Sequence, residues 1–494
     1  MNDMSRNIRL QHADKLFIDG RWIDPTDGGR IEVVSPHTEE VAATVAEARE
    51  ADMDLAVAAA RRAFDDGPWP RMGPHERGQY LARLSAALKP RMPELQVAWT
   101  QQVGAVQMMA PGMIGGSMAS LDFYVDQADK FSFATEHKSY DGHGIAVVAK
   151  EPVGVAVAIV PWNAPFLIMI NKVAPALLAG CPVIMKPSPE TPLDAHIIAE
   201  AAEQAGLPPG VVGLVPAHRE ASDYLVRRPG VDKVSFTGST AAGKRIASVC
   251  GERIARITLE LGGKSAAIVM DDADIEATAQ HLAFVISIFS GQVCATLSRV
   301  IVSRSRYDEF AQALKAALEA IKVGDPFDPS SQMGPLAMRR QFDRVQGYIE
   351  KGLAEGATIA TGGGRPKGFG DRGCWFEPTL FTGVESGMTI AQEEIFGPVI
   401  TLLAYDDEAE AVRIANDSNY GLFGAVFTQD NERAYRIARQ VRTGAITQNG
   451  FRMDTVLPFG GFKQSGVGRE GGLAGLESFT ESKTILVDGR PAVL

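Results

Sequence analysis

The chain has 494 residues, with 49 Lys and Arg against 60 Asp and Glu, a formal charge of −11. Hydrophobic residues at 45% and charged residues at 22% describe a folded globular chain, with length for several units of about 150 residues each. The acidic balance excludes nucleic acid as a main partner, because phosphate binding needs clustered Lys and Arg.

The polar N-terminus lacks the apolar core of a signal peptide. The most apolar stretch, 153–170, is broken by Pro161, Asn163 and Pro165, and a membrane span needs about 20 apolar residues. No membrane partner is expected, and a cytoplasmic or otherwise reducing location is. Cys181, Cys250, Cys294 and Cys374 show no CxxC spacing, so neither a disulfide framework nor a metal site is predicted.

In chain order, Leu81, Leu84 and Leu88 mark one face of a helix at 76–89. Residues 131–150 are polar, then strand-like, as in a protruding arm. From 153 onward strands and helices alternate: strand 155–160, helix 172–179, strand 182–186. Thr191 reads as an N-cap with Pro192 at the first helical position and Asp194 three residues on, for a helix ending before Gly206. Strand 211–215, helix 220–228, strand 231–236 and helix 240–250 complete the first alternation. A second follows: helices 275–288 and 307–321 around strand 299–302, then strand 398–404, helix 408–416, strand 422–428 and helix 432–441. Alternation of this kind predicts parallel sheets covered by helices. The glycine-rich stretch 362–373 reads as a loop, and the tail 483–494 ends strand-like.

Several residues stand where chemistry could be done. Cys294, in SGQVCATLS, is a potential nucleophile, although a lone cysteine is usually a buried packing residue. Glu260 ends an apolar strand before a Gly-Gly turn, where a raised pKa would suit a general base and a salt bridge would serve equally. Asn163 follows a strand and a Pro-Trp turn and could donate to an oxyanion, or hold the turn. Strand 231–236 feeds Gly238, Ser239 and a helix, a phosphate-binding arrangement whose Gly238/Gly243 spacing is not GxGxxG. Lys186 closes a buried-type strand.

Together and in order, PWN, KPS, FTGS, ELGGK, GQVCA, QEEIFGP and PFGGFKQSGVGRE resemble the aldehyde dehydrogenase family over nearly the whole chain. The separation of Glu260 and Cys294 also resembles that family's base-to-nucleophile interval. The resemblance implies a Rossmann-like α/β cofactor domain (1–130 and 150–262), an α/β catalytic domain (263–477) and a small β oligomerisation arm (131–149 and 478–494) for a homodimer or homotetramer. It implies Cys294 as nucleophile, Asn163 as oxyanion donor and Glu260 as hydrolytic base, with a thioester intermediate and NAD as cofactor. Members releasing acyl-CoA lack the base, so Glu260 implies a free carboxylic acid as product.

By the same resemblance Lys172 and Glu470 relay protons. Ile159, Pro161, Trp162, Lys186, Ser188, Gly238, Ser239, Glu394 and Phe396 hold the cofactor. Ala164, Ile168, Val293, Ala295, Met453 and Phe459 line the substrate pocket. Pro189 stands where many NAD-preferring members have an acid, and Glu190 is one residue out of register, which implies weaker discrimination against NADP. The apolar pocket positions imply an aliphatic, terpenoid or aromatic aldehyde. The alternatives are a semialdehyde substrate, a non-catalytic binding or structural member of the same fold, or a cysteine hydrolase. The last would want a histidine base, and His137, His143 and His196 lie outside the motifs.

Overall fold

The computed structural model describes residues 8–491. Its central feature is an eight-stranded sheet. Five strands are parallel and lie side by side in the order Arg256–Glu260, Lys233–Thr237, Ala156–Ile159, Val183–Lys186, Val212–Leu214. These are short, mostly apolar runs because helices cover both faces and leave no polar side. The chain starts at Ala156–Ile159, winds one way through Val183–Lys186, then returns to the other side for Lys233–Thr237. A crevice therefore opens at the carboxyl ends of Ala156–Ile159 and Lys233–Thr237, where open parallel sheets bind ligands.

Three antiparallel strands extend the edges: Leu16–Ile18 and Arg21–Ile23 on one side, Gly466–Val467 on the other. Gly466–Val467 comes from the segment that the sequence assigns to the second unit. It pairs with Leu259 and Glu260, so the two halves of the chain meet at Glu260.

The second sheet has seven strands, in the order Thr358–Thr361, Thr379–Thr382, Val399–Tyr405, Arg299–Ser303, Ala266–Val269, Gly424–Phe427, Thr447–Gln448. All of its pairings are parallel except that of Thr358–Thr361 with Thr379–Thr382. A third, antiparallel sheet joins Ala134–Lys138, Ile145–Pro152 and Thr480–Val487. It thus unites the 131–149 segment with the tail, of which 492–494 lie outside the described residues. Ala134–Lys138 is exposed along its whole length.

Two local expectations change. The helix expected over 172–179 spans Pro165–Ala179. Pro165 begins it instead of breaking the chain, because a first-turn proline surrenders no hydrogen bond, and Gly180 (φ +99°) ends it. The expected Thr191 cap is not made: the helix is Leu193–Gln204, and the Thr191 hydroxyl is buried without a hydrogen-bond partner among the described residues. Instead Gln102, from the helix Met92–Val103, accepts from Leu193 N at 3.2 Å and donates to Asp194. A distant side chain has replaced the local cap.

Candidate active site

Cys294 is positioned by a strained turn. The helix Ile275–Ser287 ends and the chain passes through three left-handed residues, Phe289 (φ 49°), Ser290 (55°) and Gly291 (72°). The two non-glycine residues there are costly and must be held. Ser290 Oγ donates to Gly334 O at 2.8 Å, and the Phe289 ring meets Trp99 edge-on at 4.7 Å. Gly291 is required, since a Cβ would stand 2.2 Å from Gly397 O. Gln292, fully buried, donates to Phe289 O at 2.7 Å and accepts from Ala337 N at 3.0 Å.

The turn after Ala156–Ile159 delivers Asn163 to the same place. Trp99 Nε1 donates to Asn163 O at 3.1 Å, and Asn163 Nδ2 donates to Gln292 O at 2.8 Å. One amide N–H is thereby used for orientation and the other remains for a ligand. Asn163 and Cys294 face one cleft of about 220 Å³, with Pro161, Trp162, Ile168, Gly238, Ser239, Glu394 and Phe396 also on its walls.

Glu260 pairs in register with Thr237 at the end of its strand. Both of its carboxylate oxygens are buried without a hydrogen-bond partner among the described residues. Burial foremost, then the Glu470 carboxylate, hold its pKa well above the ordinary value, against the opposing pull of Lys172 and Arg469. Burial, then Glu394 and Glu260, likewise push the Cys294 thiol far up. Burial thus disfavours the charged form of both groups. Lys172 and Glu470 form an ion pair beneath it, with Ser235 Oγ donating to Glu470 Oε1 at 3.0 Å. Lys172 is fully buried, so Lys172→Met should strand a buried carboxylate. The expected loss is about 3–5 kcal/mol of stability, read from the urea midpoint.

On the cofactor side, Gly238 leads into the helix Thr240–Glu252, whose cap Ser239 accepts from Ala242 N at 3.3 Å. A helix N-terminus with glycine before it suits an anionic diphosphate. Glu394 accepts from Gly263 N at 3.0 Å, and burial lifts it to about 7. Close by, burial and then Arg299 depress Lys264 to about 7. Trp162 and Phe396 meet edge-to-face at 5.3 Å, and Phe396 itself is left-handed (φ 62°). Lys186 and Ser188 lie one strand further along, both buried, while Ile159 sits within the sheet core.

The substrate-pocket residues are less gathered. Ala164, Ile168 and Val293 pack in one apolar cluster with Phe289 and Met113. Phe459 and Val293 both pack against a core beside the second sheet, Ala295 is fully buried in that core, and Met453 is exposed. The sequence reading missed Gln341 and Arg344, both on the cleft wall. They belong to the helix Arg339–Ala354, whose apolar spacing (Phe342, Val345, Ile349) could have revealed it. Gln341 Nε2 donates to Phe396 O at 2.6 Å, and Arg344 to Glu394 O, so both hold the segment that carries Glu394.

Residues 22–485 match the model of the Aldehyde dehydrogenase family. Geranial dehydrogenase of Castellaniella defragrans is 42% identical over 96% of this chain and 98% of its own. The 3-succinoylsemialdehyde-pyridine dehydrogenase of a Pseudomonas species is 40% identical over 96% and 98%. Among solved structures, Mycobacterium tuberculosis aldehyde dehydrogenase complexed with NAD+ superposes with a TM-score of 0.92 at 44% identity, over 96% of this chain and 98% of that one. A Pseudomonas syringae aldehyde dehydrogenase mutant complexed with NAD+ and octanal superposes at 0.93 with 39% identity, over 97% and 98%.

Proposed function

The chain belongs to the aldehyde dehydrogenase family and is an NAD(P)-dependent enzyme, and on that premise we propose that it oxidises an apolar aldehyde to the free carboxylic acid through a thioester on Cys294. The observation that carries this reading is the meeting of Cys294 and Asn163 in one cleft, with the buried Glu260 carboxyl near enough for its charge to raise the pKa of the thiol.

The chemistry follows from the residues. Once deprotonated, the Cys294 sulfur adds to the aldehyde carbon, and the new oxyanion takes the remaining Asn163 N–H. Gly238, Ser239 and the start of the helix Thr240–Glu252 would hold the dinucleotide in the crevice, where its oxidised nicotinamide would supply the acceptor for the hydride lost as the adduct becomes a thioester. Glu260 in its ionised form takes a proton from water, and the hydroxide attacks the thioester carbon and releases Cys294. The proton passes toward Glu470 and Lys172. Asn163→Ala should lower kcat by about 10²–10³-fold with little change in NAD+ affinity, which stopped-flow NADH formation and a binding titration would separate.

The apolar cluster of Ala164, Ile168, Val293 and Phe289 beside Cys294 supports an aliphatic, terpenoid or aromatic substrate. The geranial dehydrogenase relative agrees with it. A semialdehyde is the second reading, favoured by the pyridine semialdehyde dehydrogenase and by Arg452 next to the exposed Met453. A kcat/KM panel of geranial, octanal, benzaldehyde and succinic semialdehyde decides between them, and dominance of the charged substrate would overturn the apolar reading. We assign the three-stranded sheet, with its exposed strand Ala134–Lys138, to contact between copies in a homodimer or homotetramer.

A further inference from the structure

The helix that delivers Cys294 also holds a second segment in place. His281 lies in the helix Ile275–Ser287, whose end leads into the turn at Phe289, Ser290 and Gly291 and so to Cys294. The half-buried His281 ring accepts at Nε2 from the backbone N–H of Phe451, at 2.7 Å and across 170 residues of chain. A backbone N–H can only donate, so this ring is neutral and carries its proton on Nδ1. Burial lowers the His281 pKa and so favours that form. The ring also packs against Phe427, with centroids 6.0 Å apart.

The segment that starts at Phe451 is otherwise loosely tied. Before it the chain is fixed: Asn449 N donates to Val426 O at 2.9 Å, and the Asn449 side chain accepts from Thr428 N at 2.9 Å and donates to Thr428 O at 2.8 Å. After it, Phe459 N donates to Glu470 O at 2.7 Å. Between Phe451 and Phe459, the backbone N–H groups that are bonded among the described residues stay within the segment: Leu457 N donates to Asp454 O and Val456 N to Asp454 Oδ1. The bond to His281 is therefore the last backbone tie on that side.

What it holds is apolar and faces outward. Met453, Val456 and Leu457 are all exposed, an unusual run for a surface with nothing to bind. Phe451 and Phe459 bracket this run and pack against the core that Val293 covers and Ala295 helps to build. Those two residues flank Cys294. Segment and nucleophile thus stand on one core and are held by one helix.

We propose that His281 is a positioning residue that clasps the segment 451–459 against the helix of Cys294, and that the clasp gives the enzyme its preference for long apolar aldehydes over short ones. This inference rests on the reading of Cys294 as the nucleophile for an apolar aldehyde. The tail of a long substrate reaches past Cys294 to the exposed apolar side chains and gains from their being fixed. A two-carbon aldehyde is too short to do so. Loss of the clasp therefore removes binding from the long substrate alone and leaves the reacting atoms as they were.

The test joins kinetics on octanal and acetaldehyde to hydrogen exchange of the full chain, read by mass spectrometry on peptides covering 449–457. In the wild type the Phe451 amide should be protected. His281→Phe keeps an aromatic ring against Phe427 but has no acceptor. It should lose that protection and raise KM for octanal about fivefold at unchanged kcat, with acetaldehyde kcat/KM altered less than about twofold. His281→Gln can accept through its amide oxygen and should restore both the protection and the octanal KM. An unprotected Phe451 amide in the wild type overturns the clasp, whatever the variants do. An equal loss on both aldehydes in His281→Phe, or an unchanged octanal KM with the protection gone, overturns the role in selectivity. A shift in assembly size on gel filtration with selectivity unchanged gives the segment to a contact between subunits instead. If the wild type oxidises neither aldehyde, the reading of Cys294 fails and the selectivity with it, while the exchange measurement still reports the clasp.

Discussion

Cys294→Ala should lower aldehyde oxidation by at least about 10⁴-fold while leaving NAD+ binding intact. The substitution removes one sulfur atom at the cleft surface and leaves the scaffold that aims it. That scaffold is made by other atoms: the left-handed Phe289, Ser290 and Gly291, the Ser290 hydroxyl on Gly334 O, and the Gln292 amide bridging Phe289 O and Ala337 N. Asn163 keeps its bond to Gln292 O, so the oxyanion donor stays in place with nothing to stabilise. Cys294→Ser gives a sharper comparison. It preserves a nucleophilic atom in the same position but replaces a thiol by a hydroxyl that ionises far less readily, and it should remain within about tenfold of the alanine variant. Absorbance at 340 nm with NAD+ and octanal measures the rate, and dinucleotide titration measures the binding. Oxidation persisting at the wild-type rate in Cys294→Ala would remove the thioester mechanism altogether.

The five parallel strands of the first sheet could be read from the sequence because burial on both faces makes them mostly apolar. Local signals failed where tertiary contacts took over. Thr191 looked like a cap, but Gln102, 91 residues away from Leu193, does that work. Pro165 looked like a break and is the first residue of a buried helix. The helix Arg339–Ala354 went unread, and with it Gln341 and Arg344 on the cleft wall.

The candidate site was legible only through resemblance. No spacing rule says that Asn163, Glu260 and Cys294 converge. Parallel pairing of Thr237 with Glu260, and of Phe236 with Ile159, brings the ends of those strands together. A glycine makes the last approach possible: a Cβ on Gly263 would stand 2.3 Å from Cys294 O.

Glu260→Gln should separate formation of the thioester from its hydrolysis. In the wild type burial, and then the neighbouring Glu470 carboxylate, raise the pKa of the Glu260 carboxyl, with Lys172 and Arg469 pulling the other way. Its basic form therefore appears only as pH rises through a pKa well above the ordinary carboxylate range. Hydrolysis, and with it steady-state turnover, should climb with pH through and beyond the usual range of carboxylates and then level off. Glutamine has nearly the same shape but cannot accept a proton at any pH, so turnover should fall by about 10²–10⁴-fold and lose that rise. The same change acts on Cys294 in the opposite sense. A negative charge that helps to push the thiol up has gone, so the sulfur should ionise at lower pH than in the wild type, as alkylation by iodoacetamide across a pH series would show. Faster ionisation with slower hydrolysis leaves the acyl group on the enzyme. Intact-mass measurement after mixing Glu260→Gln with octanal and NAD+ should then find one acyl adduct, absent when Cys294 is also replaced by alanine. Full turnover in Glu260→Gln, or loss of turnover with no adduct, would assign the water-activating step to another group.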